Sequence, residues 1–239
     1  MAIIDKLKAI ANAIRSKTGK TEMLSLDEMP SEIEGIETGG GREIDSLVLR
    51  TIESYSNHDI TTLGAYAFTN CGKLKTIDTP NVTTMGIYAC QSTGIVNAEF
   101  PNLVDAGNFC FANNVDLESV HLPSLQKGGN YLFSVSRVLK RIDILSVGTV
   151  GTSCFNACYV LTTLIMRSTT LIPLTNINVF ANCHHINGTK NSSYNPQGLK
   201  DGYIYVPKAL VEEYKVATNW STLASQFRAI EDYPDVTGG

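Results

Sequence analysis

The residues best suited to chemistry are six cysteines and four histidines. Cys183, His184 and His185 stand together, and thiolate and imidazole are the donors of a zinc site. A tetrahedral site needs four ligands at matched spacing, and no second Cys/His group lies near this one in sequence. Three residues separate Cys154 from Cys158, which is not the redox CxxC spacing. His58 and His121 are isolated, and neither a phosphate loop nor a G-x-S-x-G turn occurs. These residues imply no metal, no cofactor and no enzyme. A different candidate is aromatic: Tyr66, Tyr88, Phe109 and Tyr131 recur at near-constant spacing. That recurrence either packs coil on coil or forms a binding stripe, because Tyr supplies contact area at low entropy cost.

What positions these residues is a repeat. Phe68, Cys90, Phe111, Phe133, Phe155 and Phe180 are spaced 22, 21, 22, 22 and 25 residues apart, and a fixed period in this range is the signature of a solenoid. Four residues before each marker stand Gly64, Gly86, Gly107, Gly129, Gly151 and Asn176. This column reads as a recurrent turn in which Gly reaches positive φ. Three residues after the marker come Cys71, Thr93, Asn114, Ser136, Cys158 and Cys183, all small and able to hydrogen-bond. Further on, Leu74, Ile95, Leu117, Leu139, Leu161 and Ile186 form an apolar column, followed by Ile77, Val120, Ile142 and Leu164, with Ala98 or Phe100 in the second repeat. Pro80, Pro101 and Pro123 close three repeats, where Pro bars further strand pairing. The marker column points inward and stacks between coils, so stability comes from nearest neighbours. Because the cysteines keep phase with the repeat, they are expected to be free, buried thiols.

Around this body, from 61 to 187, the chain reads as a series of smaller parts. In residues 1–37, Ile4, Leu7, Ile10 and Ile14 form one apolar stripe of a short helix, which predicts docking or self-association. Residues 38–42 are a Gly-rich linker. Residues 43–60 form a cap, with Leu47, Leu49 and Ile52 alternating as in a strand and the polar run from Ser54 to Asp59 ending it. Residues 188–233 are a loop and a C-terminal cap: a final strand over Tyr203–Pro207, short helices or helical turns, and a buried Trp220. Residues 234–239 are a frayed tail. The net charge is −4 and charged residues are 18% of the chain, which argues against a nucleic-acid footprint. No apolar run reaches the roughly 18 residues a spanning helix needs, and the N-terminus has no signal-peptide pattern.

Leu63-Gly64-Ala65-Tyr66-Ala67-Phe68-Thr69-Asn70-Cys71, with Leu74, Ile77 and Pro80, resembles the BspA-like leucine-rich repeat. The resemblance covers residues 44–187 and implies an α/β-type solenoid of about six repeats, with short parallel strands beside the small N-terminal helical element. It also implies a use in adhesion and protein recognition. A second resemblance concerns the ends. Ala9-Ile10-Ala11-Asn12-Ala13-Ile14-Arg15-Ser16-Lys17-Thr18-Gly19, with Leu24 to Pro30, is similar to the N-terminal segment of tail-associated proteins of phages and prophages of Gram-positive bacteria. Ile204 to Val211 and Ala217 to Ser221 are similar to the ending of the same proteins. This resemblance implies a virion structural protein at the tail or baseplate. Its N-terminal element would meet other virion proteins or sister copies in a homo-oligomer, and its solenoid would meet a host-surface protein or glycan. A bacterial or prophage-encoded binding module without a virion role is the alternative.

Overall fold

The computed structural model describes residues 50–145, 148, 151–174 and 176–238. The chain divides into two units, Met1–Ile52 and Glu53–Gly239. The expected docking helix, the Gly-rich linker and the first part of the expected cap lie outside the described residues.

In the second unit the chain alternates up to β9 between two columns of short strands, after which β10 to β12 all join one sheet: β1 Ser54–Ser56, β2 Thr62–Leu63, β3 Thr76–Asp78, β4 Thr84–Met85, β5 Asn97–Glu99, β6 Asp105–Ala106, β7 Ser119–Leu122, β8 Lys127–Gly128, β9 Arg141–Ile144, β10 Thr163–Met166, β11 Tyr203–Val206 and β12 Phe227–Ala229. The even-numbered early strands form a parallel sheet in the order β2-β4-β6-β8, and the main sheet runs β12-β11-β10-β9-β7-β5. β1 and β3 pair separately. The break between β3 and β5 falls where the strands start 21 residues apart rather than 22, so the shortened coil loses the register of its neighbour. Thus the fold is the repeat solenoid with parallel strands that the columns predict.

The core is a column of rings. Phe111, Phe133, Phe155 and Phe180 are buried and follow one another at centroid distances of 5.8, 6.0 and 5.2 Å. Phe68 is buried too, and Cys90 takes the ring position in the second coil. There Phe100 fills the space, 5.7 Å from the Phe111 ring. Strand alternation turns Ala98, Val120, Ile142, Leu164 and Ile204 inward in one register.

Three local expectations are corrected. The polar run from Ser54, expected to end a strand, itself carries β1 over Ser54–Ser56, and its Tyr55 packs its ring against Phe68 at 4.9 Å. Phe227–Ala229, expected to end a helix, forms β12 beside β11, and its Phe227 ring packs on Tyr214 and Trp220 at 5.2 and 5.7 Å. Within the expected frayed tail, Pro234–Thr237 forms a helical turn. The Arg141 guanidinium donates to the Val236 carbonyl at 2.6 Å and Arg167 donates to that of Thr237. Arg167 is itself held in a two-point fork by the buried Asp143 at 2.8 and 2.9 Å, a geometry that fixes the guanidinium plane.

Candidate functional site

Between the two strand columns each coil crosses a third side made of overlapping turns. In the first coil Ala67, Thr69 and Cys71 donate backwards to the carbonyls of Gly64, Tyr66 and Phe68. The alternate residues Tyr66, Phe68 and Asn70 donate forwards to Ile87, Ala89 and Gln91 of the next coil. This pattern requires left-handed backbone, and the structure places it where the sequence does not advertise it. Tyr66, Tyr88, Phe109 and Tyr131 have φ of 63, 59, 58 and 58°, while Asn70, Ser92, Asn113 and Val135 have 61, 53, 57 and 66°. The glycine column has no positive φ.

The glycines therefore do a different job from the one expected. A Cβ on Gly86 would lie 2.5 Å from the Ala65 nitrogen, on Gly107 2.7 Å from the Gly86 carbonyl carbon, and on Gly129 2.4 Å from the Asn108 nitrogen. Gly permits close approach of backbone to backbone, and these coils use it for that.

The aromatic column forms a ladder. Tyr66–Tyr88, Tyr88–Phe109 and Phe109–Tyr131 are stacked at 5.1, 4.9 and 4.6 Å, with planes 18, 11 and 3° apart. Such pairs are worth about 0.5–1.5 kcal/mol each beyond burial, which offsets the cost of holding a bulky residue at positive φ. The ladder is also open to solvent: Tyr66 is 43% exposed and the other three rings are half-buried. Packing and presentation are thus combined in one column. Beside it stand the exposed Ile87 and the amides of Asn108 and Asn130. These two amides accept the N–H of Asn130 and Thr152 at 2.8 and 2.9 Å.

The small polar column is satisfied internally. Ser136, Cys158 and Cys183 donate to the carbonyls of Phe111, Phe133 and Phe155 at 3.2, 3.3 and 2.9 Å. All six cysteines are buried, and no two of them form a disulfide. Burial pushes the Cys154 thiol up to about 12 and raises Cys158 and Cys183 as well, the opposite of a reactive thiolate.

The histidines hold structure. His185 bridges Asp201 at 2.6 Å and the Tyr194 carbonyl at 3.0 Å. His184 is buried between the rings of Tyr159 and Tyr194, at 5.3 and 6.5 Å, and burial followed by the charge of His185 lowers its pKa. Among the described residues no group of three or more His, Cys, Asp or Glu side chains could hold a metal.

One constellation escapes sequence reading. Ser56, His58 and Asp78 meet because β1 and β3 lie one coil apart. The His58 Nε2 lies 2.8 Å from Asp78 and 3.5 Å from the Ser56 hydroxyl. A nucleophilic triad uses opposite ring nitrogens for serine and acid, whereas here one nitrogen faces both. The His58 and Asp78 side chains are 60% and 61% exposed. Hydrogen bonds from His58 and then Ser56 hold the Asp78 carboxyl below its ordinary value. The cluster is a surface hydrogen-bond network. Among the described residues, no helix is long and apolar enough to cross a membrane.

No curated protein matches the chain. A solved leucine-rich repeat protein from Bacteroides ovatus ATCC 8483 is 19% identical with a TM-score of 0.51, over 77% of this chain and 55% of that one. The pneumococcal vaccine antigen PcpA is 14% identical with a TM-score of 0.50, over 74% of this chain and 40% of that one. The chain spans about half the length of these two proteins, and the likeness is one of fold. The pattern of the BspA type leucine-rich repeat region matches in six copies, over residues 44–106 and 86–194. With well over half its length matched, the chain belongs to the BspA-type leucine-rich repeat family.

Proposed function

We propose that the chain is a non-enzymatic structural protein of a phage virion, associated with the tail or baseplate, and that its solenoid presents a surface for host recognition. The aromatic ladder of Tyr66, Tyr88, Phe109 and Tyr131 is the binding stripe in this reading, and the observation that carries it is the partial exposure of four stacked rings on strained backbone. Apolar surface of this kind is what partner recognition uses. The setting is supported by the terminal segments, Ala9 to Gly19 with Leu24 to Pro30 and Ile204 to Val211, which resemble those of phage tail-associated proteins. The N-terminal stripe of Ile4, Leu7, Ile10 and Ile14 would attach the chain to other virion proteins or to sister copies. Mass spectrometry of purified virions tests the setting: the chain is expected among the particle proteins. Its absence from particles would remove the virion role and leave a bacterial or prophage-encoded adhesion module.

A further inference from the structure

One row of side chains crosses the outer face of the main sheet. Glu99, His121, Asp143, Ile165, Tyr205 and Arg228 stand opposite one another in the strand register. They alternate with the inward Ala98, Val120, Ile142, Leu164 and Ile204, so the row points away from the core. Glu99 and His121 are exposed, as that direction requires. Asp143, Ile165 and Tyr205 are only 3%, 0% and 5% exposed. The chain's own tail lies on this part of the face. Tyr233 sets its ring edge-on to Tyr205 at 5.6 Å, and the turn Pro234–Thr237 presents the carbonyls of Val236 and Thr237 to the guanidiniums of Arg141 and Arg167.

This cover is lightly attached. From Tyr233 to Gly238 only Thr237 is buried, its hydroxyl reaching the Ile230 carbonyl at 3.2 Å. A segment with so little buried surface belongs to the low-stability end of a structure. The preceding residues are pinned, because Lys208 holds Glu231 through its N–H and Asp232 through its ammonium, both at 2.8 Å. The hinge is therefore Tyr233. Beneath the tail the sheet sets its own donors. Asp143 grips Arg167 by two bonds, and Arg141 and His121 lie 3.5 and 3.6 Å from the same carboxylate.

We propose that the tail is a detachable strap, and that the face beneath it docks the C-terminal turn of a helix of a partner protein, with an aromatic side chain at the start of that turn. The seated tail shows the chemistry of the occupant. The last carbonyls of a helix have no partner within it and form its negative pole, and two guanidiniums set by a buried acid answer both properties. Tyr205 takes the aromatic ring edge-on. A partner must win the site from a tethered competitor, so the strap keeps it shut. The site lies on the sheet and does not depend on the ladder, which runs along the third side.

Hydrogen exchange on the unaltered chain tests the strap. The Thr237 and Gly238 amides, bonded to the Tyr233 and Pro234 carbonyls at 3.0 and 2.8 Å, are compared with the Tyr203 amide, bonded to the Thr162 carbonyl at 2.7 Å. The tail amides are expected to exchange roughly a hundredfold faster, and exchange of all three only with global unfolding overturns the strap. Saturation-transfer NMR tests the site, with an acetylated, amidated peptide copying Tyr233 to Gly238 as the probe. Thr237→Pro in the full chain breaks the turn and opens the strap. Transfer to the tyrosine protons of the peptide is expected to be roughly tenfold stronger there than in the unaltered chain, where the tethered tail competes at an effective concentration on the order of millimolar. Adding Arg141→Met, or replacing the tyrosine of the peptide by alanine, is expected to abolish it. Thermal melts report folding, and Tyr233→Gly opens the strap by a second route. Absence of transfer in a folded, strap-open variant, or transfer that Arg141→Met leaves unchanged, overturns the site.

Discussion

At the scale of single residues, backbone proximity decides what each position tolerates. Gly107 sits against the Gly86 carbonyl carbon and the Ile87 nitrogen, both 2.7 Å from where a Cβ would be, while a Cβ on Gly64 would meet nothing within 4 Å. Gly107→Ala is therefore expected to destabilise by about 1–3 kcal/mol through forced displacement of a packed coil. Gly64→Ala is expected to stay within about 0.5 kcal/mol. Denaturant titrations compare the two, and equal effects would contradict the close-approach role. The thiols give a pH dependence. Cys154 moves from 9.0 to about 12 on burial, so its neutral form belongs to the fold. The associated stability is present below pH 9 and is lost as pH rises from 9 towards 12, when the unfolded chain ionises first. Melting temperature should fall across that window, and a thiol-reactive dye at pH 8 should label the six cysteines only after denaturation.

The element that matters most is the coil, and a coil is held by what it gives its neighbours. Phe111 stacks on Phe133 and covers Phe100, at 5.8 and 5.7 Å, and is fully buried. Phe111→Ala is expected to cost roughly 3–5 kcal/mol, read as a lowered denaturation midpoint. A melting curve unchanged by that substitution would contradict the inward stacking. The coil was also the most legible object in the sequence. Stacking imposes the same environment on each copy, so inward Phe, inward Leu and small donor columns recur in phase and can be read without coordinates. Backbone dihedrals leave no such trace: left-handed φ is carried by Tyr66, Tyr88, Phe109 and Tyr131, residue types that usually avoid it, and the glycines beside them mislead. Contacts made by adjacent coils, such as His58 with Asp78, are visible only after register is known.

At the scale of the solenoid unit, the ends are built from different parts than the body. Trp220 is fully buried and donates its indole N–H to the Ile172 carbonyl at 2.7 Å, while the Tyr214 hydroxyl accepts the Ile172 N–H at 3.0 Å. These two side chains satisfy the backbone that a seventh coil would otherwise pair with, which is how a repeat array is closed. With the core sealed, the ladder is the principal apolar feature repeated along the third side, and its function is the central claim. The most direct measurement is binding of the Tyr88→Ala, Tyr131→Ala double variant to host cells, run beside its thermal melt. Binding is expected to be abolished while the chain still unfolds in one cooperative transition, its stability lowered by no more than the three lost stacked pairs account for, about 0.5–1.5 kcal/mol each. Binding retained at the level of the unaltered chain, or a large loss of stability, would contradict it and make the ladder a packing device alone.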